Sequence, residues 1–314
     1  MDAENSNRLA LVYATDAGFA AVTCASVLSL DAATKQPYHV YILTVDLDDA
    51  SAQAMRKALQ NCKLEIHMLS FDTQAYDALP LPSILPKASY VRIFLQDYVP
   101  HHYERLLYID GDTLVDVDPS PLCQVDMQGQ ILGAVLDLGR ITAGFEQEDK
   151  ERLSLSGSQG YFNSGLLLID YKKWRNEDLP AQVLKAFQDK QLVLTLGDQC
   201  VLNYVMRGSW LALNYKWNTQ GVTANYFLNK PALVHFVGSR KPWRPKDMRY
   251  PMKIMQRYRD FYAQNDFEMP LELKELNSFY ARLRWMLRMI SPRILGRMIK
   301  TRRLVQAYNA RTKV

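Results

Sequence analysis

The chain has 314 residues, with 38 Lys and Arg against 33 Asp and Glu, and a formal net charge of +5. Its 48% hydrophobic and 23% charged content matches globular averages and excludes disordered, collagen-like and fibrous classes. The charge is unevenly spread: residues 276–314 hold ten Lys and Arg and no acid, which leaves 28 basic and 33 acidic residues in 1–275. The body is therefore −5 and the tail +10, so the overall basic balance does not describe a nucleic-acid-binding body.

The N-terminus, MDAENSNRLALVYATD, lacks the basic region and long apolar core of a secretory signal. No run approaches the ~18 apolar residues of a membrane-spanning helix. Cys24, Cys62, Cys123 and Cys200 are scattered, with no C-x-x-C pair, which argues against a disulfide scaffold and a cysteine zinc site. Each sits among apolar residues and reads as a small buried hydrophobe. The expected location is a reducing cytoplasm.

In chain order, Arg8 to Ala14 is an apolar β-type run and Ala20 to Leu30 has helical spacing. Tyr38 to Val45 reads as a strand, Asp49 to Leu59 as a helix and Leu64 to Leu69 as a strand. Strands alternating with helices predict an α/β fold with a mostly parallel sheet. The Pro-rich stretch Leu79 to Pro86 predicts a loop, and Tyr90 to Tyr98 a helix. Arg105 to Ile109 predicts a buried strand ending on Asp110. Ile131 to Leu136 and Gly165 to Ile169 are further strands, with helices over Tyr171 to Trp174, Pro180 to Lys190 and Asp198 to Met206. Gly139 to Gly160, polar and charged, reads as a long loop or lid. Ala232 to Phe236 is the last strand and contains His235.

The sharpest chemical signal is Tyr108-Ile109-Asp110-Gly111-Asp112 directly after a strand. Ligands of open α/β sheets bind beyond the carboxyl ends of strands. There, two carboxylates two residues apart can converge on one hard divalent cation. Gly111 would leave space for a ligand between them. The bland alternative is a surface Asp-Gly turn. A haloacid-dehalogenase-type phosphatase also uses Asp-x-Asp, but the Thr expected four residues after its first Asp is Leu114 here.

His235 at a strand end can offer an imidazole to a metal, Gly238 allows close backbone approach to a phosphate, and Lys241 can place a point charge on a diphosphate. Asn163 and Gln199 are amides able to contact sugar hydroxyls. Without a ligand, Asn163 reads as a turn residue before Gly165, and Asp198 as an N-cap.

In order, the motifs LVYATD, YVRIFL, LLYIDGDTLV, AVLDL, YFNSGLLLIDYKKWR, GDQCVLN and HFVGSRKPW resemble those of the family-eight retaining glycosyltransferases. That family includes glycogenin and the bacterial lipopolysaccharide galactosyl- and glucosyltransferases. The likeness runs from Leu9 to about Trp243 and is strongest to lipooligosaccharide α-galactosyltransferases. It implies a Rossmann-like GT-A domain that moves galactose or glucose from a UDP-sugar to a saccharide or glycolipid acceptor. It further implies Asp110, Asp112 and His235 as ligands of Mn²⁺, with Mg²⁺ the alternative. Gly238 and Lys241 would hold the diphosphate. Ala14 and Asp16 would contact the uracil, and Arg92 the donor sugar or phosphates. Asp137, Asn163, Asp198 and Gln199 would line the donor-sugar and acceptor pocket, Gln199 and Asp198 at the reacting carbon. Where the family commonly reads Asp-Asn-Tyr after Asp16, this chain has Ala17, Gly18 and Phe19. Phe19 keeps a ring for base stacking, while Gly18 loses an amide for the ribose. The competing class is a sugar-nucleotide-binding protein without turnover, which the complete metal and diphosphate set argues against.

The organisation expected is a catalytic domain over 1–270 and a basic amphipathic segment over 271–314. Past Pro292, Arg293, Arg297, Lys300 and Arg303 share one helix side, and Ile294, Leu295, Met298 and Ile299 lie largely on the other. With Tyr280 and Trp285 nearby, this resembles a segment lying on an anionic membrane. The alternatives are an ordinary packed helix with solvated arginines, or nonspecific nucleic-acid binding. Peripheral attachment to the inner membrane face is the expectation.

Overall fold

The computed structural model describes residues 8–74, 87–155, 160–189, 195–221, 230–238, 241–243, 250–265, 267–274, 278, 280, 283, 286 and 292–312. The Pro-rich stretch at 79–86 and most of 276–291 lie outside the described residues.

The strands are β1 Leu9–Asp16, β2 His39–Val45, β3 Glu65–Ser70, β4 Arg105–Ile109, β5 Thr113–Val115, β6 Leu132–Leu136, β7 Phe162–Asp170, β8 Trp210–Ala212, β9 Thr219–Gln220 and β10 Leu233–His235. The longer helices are α1 Ala20–Ala33, α2 Asp49–Leu59, α3 Leu138–Ala143, α4 Glu146–Arg152, α5 Tyr171–Asn176, α6 Leu179–Gln188, α7 Gly197–Val205, α8 Met252–Tyr262 and α9 Pro292–Asn309. The expected helix near residue 90 takes the tighter 3₁₀ form over Lys87–Ile93 and Leu95–Asp97.

A seven-stranded sheet runs in the order β3-β2-β1-β4-β7-β6-β8. All its pairings are parallel except those of β7, which is antiparallel to both β4 and β6. Strand β1 is buried on both faces, as its unbroken apolar run requires. Ala10 and Val12 feed the core on one face, and Leu9, Leu11 and Tyr13 the core on the other, following the two-residue side-chain period.

Three features of this topology build the site. Strands β2 and β3 lie to one side of β1 and β4 to the other, so the order reverses beside β1, where a crevice opens beyond the carboxyl ends. Asp16 ends β1 and Asp110 follows β4 there. Because β7 is antiparallel, its first residues lie at that same end, and Asp110 N–H donates to Gly165 O at 2.9 Å. A small sheet, β5-β10-β9, pairs His235 with Thr113 and with Gln220.

Helix α1 locks the small sheet to the large one through hydroxyls in its buried face. Thr23 bonds Thr15 on β1 at 3.0 Å, Ser26 bonds Thr113 at 2.6 Å, and Val115 N–H donates to Ser29 Oγ at 2.9 Å. Each satisfied bond contributes ~1 kcal/mol, and each would cost more if left unpaired.

The expected lid over 139–160 is instead largely helical. Asp137 caps α3 by accepting Arg140 N–H at 3.1 Å, and Gly144 ends it at φ +89°. Buried Asp149 on α4 binds Arg140 twice at 2.6 Å and Arg152 at 2.7 Å. Within this charged segment one buried acid thus serves two guanidinium groups.

In α9, the stripe that packs on the body is Thr301, Leu304, Val305 and Tyr308. Tyr308 Oη donates to Leu213 O at 2.8 Å, and Tyr215 N–H donates to Asn309 Oδ1 at 2.9 Å. The division into one basic and one apolar side is therefore not what orients this helix. Leu295 and Ile299 remain 57% and 49% exposed.

Candidate functional site

The residues of the Asp-x-Asp motif and His235 come together. Asp110, Asp112 and His235 each place a ligand atom within 4.8 Å of the others. His235 Nε2 lies 3.2 Å from Asp112 Oδ1 and 3.7 Å from Asp110 Oδ2. Its other nitrogen, Nδ1, is 3.0 Å from Asn218 Oδ1. An amide oxygen can only accept, so Nδ1 donates to Asn218, and the ring is turned so that Nε2 faces both carboxylates. Asn218 is itself held, donating from Nδ2 to Asn163 Oδ1 at 2.9 Å. Orienting a ligating imidazole through its second nitrogen is how metal sites fix tautomer and ring. Two carboxylates and an imidazole set in this way fit a divalent cation of the Mn²⁺ or Mg²⁺ type.

Each carboxylate has a cationic partner on its far side. Asp112 is bonded by buried Lys241, which also donates to Phe236 O. Burial alone would raise the Asp112 carboxyl, but Lys241 and then His235 outweigh it and hold it well below the usual carboxylate range. Asp110 Oδ1 meets Arg92 at 2.9 Å and accepts the Tyr108 phenol at 3.0 Å. Burial keeps that phenol protonated, so it acts as a donor.

Arg92 is the hub between two groups predicted separately. Its Nη2 faces Asp110, its Nε lies 3.1 Å from Asp198 Oδ2, and its Nη1 donates to Ser164 O at 2.6 Å. The ring of Tyr108 lies under it, 4.5 Å from the guanidinium carbon. Asp198 sits in the first turn of α7 rather than capping it, the cap position being Leu196. Burial raises its pKa to about 6, Asp110 adds to this and Arg92 opposes it.

Asn163 is not a turn residue but lies inside β7, at the end facing Asp110. Gln199 Oε1 accepts Ser164 N–H at 3.0 Å and Asn163 Nδ2 at 3.2 Å, while its Nε2 donates to Asp137 Oδ2 at 3.1 Å. Asp137, Asn163, Asp198 and Gln199 therefore form one buried polar network around Ser164.

A pocket of about 170 Å³ opens beside the carboxylates. Ala14, Asp16, Phe19, Arg92, Gly111 and Tyr108 line it together with Asp110 and Asp112. Asp16 Oδ1 accepts Phe19 N–H at 3.0 Å, which turns the chain from β1 into α1 and brings the Phe19 ring to the pocket wall. Gly238 stands three residues past β10 at φ +73°, a left-handed conformation that suits glycine.

Gly111 lines the pocket as expected and meets a second requirement: a Cβ there would lie 2.2 Å from Thr23 Oγ1, so glycine also permits close packing on α1. Gly165 read only as a strand start, yet a Cβ on it would stand 2.1 Å from His235 Cε1 and 2.8 Å from Asp110 Oδ2. An isolated glycine inside a strand pattern signals such close approach. Ser164, Tyr108 and Asn218 were also missed, and for Asn218 no local signal exists.

A second cleft, of about 250 Å³, begins where this cluster ends. Gly139 follows Asp137 by two residues, Val237 follows His235 by two, and Gly221 follows Gln220, the β9 partner of His235. Arg297 and Lys300 of α9 line its outer side.

The profile of glycosyl transferase family 8 matches residues 10–247. General stress protein A of Bacillus subtilis is 27% identical over 241 residues, covering 71% of this chain and 80% of that protein. Lipopolysaccharide 1,2-glucosyltransferase of Escherichia coli is 28% identical over 216 residues, covering 65% of this chain and 63% of that enzyme. Among solved structures, the galactosyltransferase LgtC in complex with donor and acceptor sugar analogs matches with a TM-score of 0.72 at 23% identity, covering 85% of this chain and 99% of that one. At that identity the likeness to LgtC is one of fold.

Proposed function

Because the chain belongs to glycosyl transferase family 8, we propose that it is a metal-dependent, retaining hexosyltransferase acting on a UDP-sugar. The observation that carries this reading is the convergence of Asp110, Asp112 and an oriented His235 beside the pocket of Asp16, Phe19 and Arg92. A protein that merely bound sugar nucleotides would have no need of a buried Arg92 linking that centre to Asp198 and Ser164.

In this reading Phe19 offers its ring to the base and Asp16 its carboxylate to the uracil. When bound, Mn²⁺ or Mg²⁺ supplies Lewis-acid stabilisation of the leaving diphosphate. Lys241 is charged and already directed at Asp112, so it stands ready to offset the charge that UDP gains as the C1–O bond breaks. Gln199 is hydrogen-bonded through both amide ends, which fixes its position and occupies its oxygen. It is therefore a positioning and electrostatic group, not a nucleophile. Asp198 is a better nucleophile chemically, but Arg92 and Ser164 hold its Oδ2. These restraints favour same-face attack by the acceptor hydroxyl on an oxocarbenium-like sugar, without a covalent intermediate.

The second cleft suits the acceptor, because Leu138 and Val237, which line it, stand one and two residues from Asp137 and His235. Arg297 and Lys300 give its wall positive charge, matching a phosphorylated or carboxylated glycolipid of lipopolysaccharide type. The likeness to lipopolysaccharide 1,2-glucosyltransferase supports an acceptor of that class. No helix among the described residues is long and apolar enough to cross a membrane. Exposed Leu295 and Ile299, beside Arg302 and Arg303, support peripheral contact of residues 271–314 with an anionic surface at the cytoplasmic face.

The test is UDP release from UDP-galactose and UDP-glucose, with a lipopolysaccharide-core acceptor, in Mn²⁺, in Mg²⁺ and in EDTA. Turnover should require the metal and vanish in Asp110→Ala. Full turnover in EDTA would refute the metal assignment. UDP binding without any turnover would favour the binding-protein reading, and phosphate release from simple esters a phosphatase.

A further inference from the structure

A second trio of ligand-type side chains lies at the opposite end of the sheet from the substrate crevice. His39 opens β2, and Glu65 and His67 lie on β3, the edge strand. The parallel register sets His39 beside Glu65 and Tyr41 beside His67. Residues two apart on a strand share a face, so the two imidazoles and the carboxylate project from the same side. The crevice lies past the carboxyl ends of the strands, about 20 Å away along β2.

The distances within this trio are unusual. His39 Nδ1 to His67 Nε2 is 3.4 Å, His67 Nε2 to Glu65 Oε1 is 3.4 Å, and His39 Nδ1 to Glu65 Oε1 is 3.5 Å. The three atoms form a nearly equilateral triangle. A tetrahedral ion bound at about 2.0–2.1 Å holds its ligands about 3.3–3.4 Å apart, which is the edge of that triangle. A pairwise hydrogen bond accounts for the arrangement less well. At 3.4 Å the imidazole contact is long against a usual ~2.9–3.0 Å, and one carboxylate oxygen is equally close to both rings.

The surroundings hold the rings in place. Tyr41 packs on His67 with ring centres 4.7 Å apart, Tyr103 lies 5.9 Å from His39, and the two tyrosines share a hydroxyl contact at 3.0 Å. Both histidines are partly buried, and Glu65, 59% exposed in its side chain, is the solvent-side ligand. This leaves a face for a water as fourth ligand.

We propose that His39, Glu65 and His67 form a second divalent-metal site, of the tetrahedral Zn²⁺ type, separate from the Asp110 centre. Two imidazoles and one carboxylate suit zinc better than Mg²⁺ or Ca²⁺, which favour all-oxygen shells. The ion would clip the edge strand β3 to β2. An edge strand presents unpaired backbone groups and is a weak point of a sheet.

The test uses the full chain, dialysed against EDTA and then against a buffered Zn²⁺ solution. Zinc per chain, measured by mass spectrometry, should fall by one in His39→Ala/His67→Ala and stay bound there in Asp110→Asn/Asp112→Asn. Replacing Zn²⁺ by Co²⁺ should give the intense visible bands of four-coordinate cobalt in wild type and in the Asp110 variant, but not in the histidine variant. Zn²⁺ at a hundredfold excess over its Kd should raise Tm by roughly 5 °C through this site. Circular dichroism checks that the histidine variant is folded, and Glu65→Gln, which keeps the side-chain shape, should weaken zinc without loss of fold. Unchanged zinc content and unchanged cobalt bands in a folded His39→Ala/His67→Ala protein would overturn the proposal. A loss of UDP release in Asp110→Ala with zinc retained here would leave the two sites independent.

Discussion

Gly165→Ala should disable the metal centre without unfolding the protein. The added Cβ would stand 2.1 Å from His235 Cε1 and 2.6 Å from its Nδ1. Ordinary contact begins near 3.4 Å, so the imidazole must retreat by about 1.3 Å or β7 must shift by as much. His235 cannot follow freely, because Asn218 holds its Nδ1 and β5 and β9 flank its strand. A misplacement of about 1 Å at a reacting centre costs on the order of 10²-fold in rate, or ~2.7 kcal/mol of transition-state stabilisation. Overpacking should cost a further ~1–3 kcal/mol of stability. The assays are Mn²⁺ affinity by electron paramagnetic resonance, kcat/KM for UDP release, and urea denaturation. Gly238→Ala is the control, since a Cβ there meets nothing within 4 Å and only its φ of +73° resists; it should cost ~1–2 kcal/mol of stability and little metal affinity. A folded Gly165→Ala protein that keeps wild-type Mn²⁺ affinity and rate would refute the reasoning.

Asn218→Ala should free the His235 ring to rotate and lower metal affinity about 10–100-fold, read by Mn²⁺ titration; an unchanged affinity would remove Asn218 from the site. In metal-free protein, burial pushes the Asp198 carboxyl up to about 6 from an ordinary value of 3.8. Its folded pKa is raised, so its contribution is fully present below about pH 4 and is lost as pH rises through about 6. Wild type should therefore lose roughly 3 kcal/mol at most relative to Asp198→Asn between pH 4 and pH 7, and parallel urea-stability profiles would contradict this. Arg297→Glu with Lys300→Glu should raise KM for a phosphorylated acceptor about tenfold and leave donor hydrolysis unchanged; an equal loss in both assays would move these residues away from the acceptor. Leu295→Ser with Ile299→Ser should reduce sedimentation with anionic vesicles in low salt. These substitutions are preferable to deleting the tail, because Tyr308 and Asn309 hold the end of α9 to the body. Unchanged sedimentation would end the membrane reading.

Much of the site was legible because its strongest signals are local. Asp110 and Asp112 follow an apolar strand, His235 ends another, and the ordered family motifs joined the three as candidate ligands. The errors arose where a residue's purpose depends on a distant neighbour. Gly111 read as ligand space, and it does line the pocket, but its close approach to Thr23 on α1 had no local sign. Asn163 read as a turn residue because the glycine two positions on hid the true start of β7. The charged segment 139–160 read as a loop or lid, although Arg140 and Arg152 converge on one buried aspartate between two short helices.

By itself the sequence determined the α/β alternation, the family, Asp110, Asp112 and His235 as candidate ligands, and the division of charge between a −5 body and a +10 tail. Those follow from short-range patterns and from an ordered series of motifs. Only the tertiary structure decided that β7 runs antiparallel and so delivers Asn163, Ser164 and Gly165 to Asp110. It alone revealed Arg92 bridging Asp110 and Asp198, Asn218 orienting the His235 ring, and two histidines and a glutamate meeting across β2 and β3. The tail's charge, too, has its place through packing: Thr301, Val305 and Tyr308 bind α9 to the body and so bring Arg297 and Lys300 to the cleft. The reason is common to all of these. Register, strand direction and helix docking are set by contacts between residues far apart in the chain, and no local pattern records them.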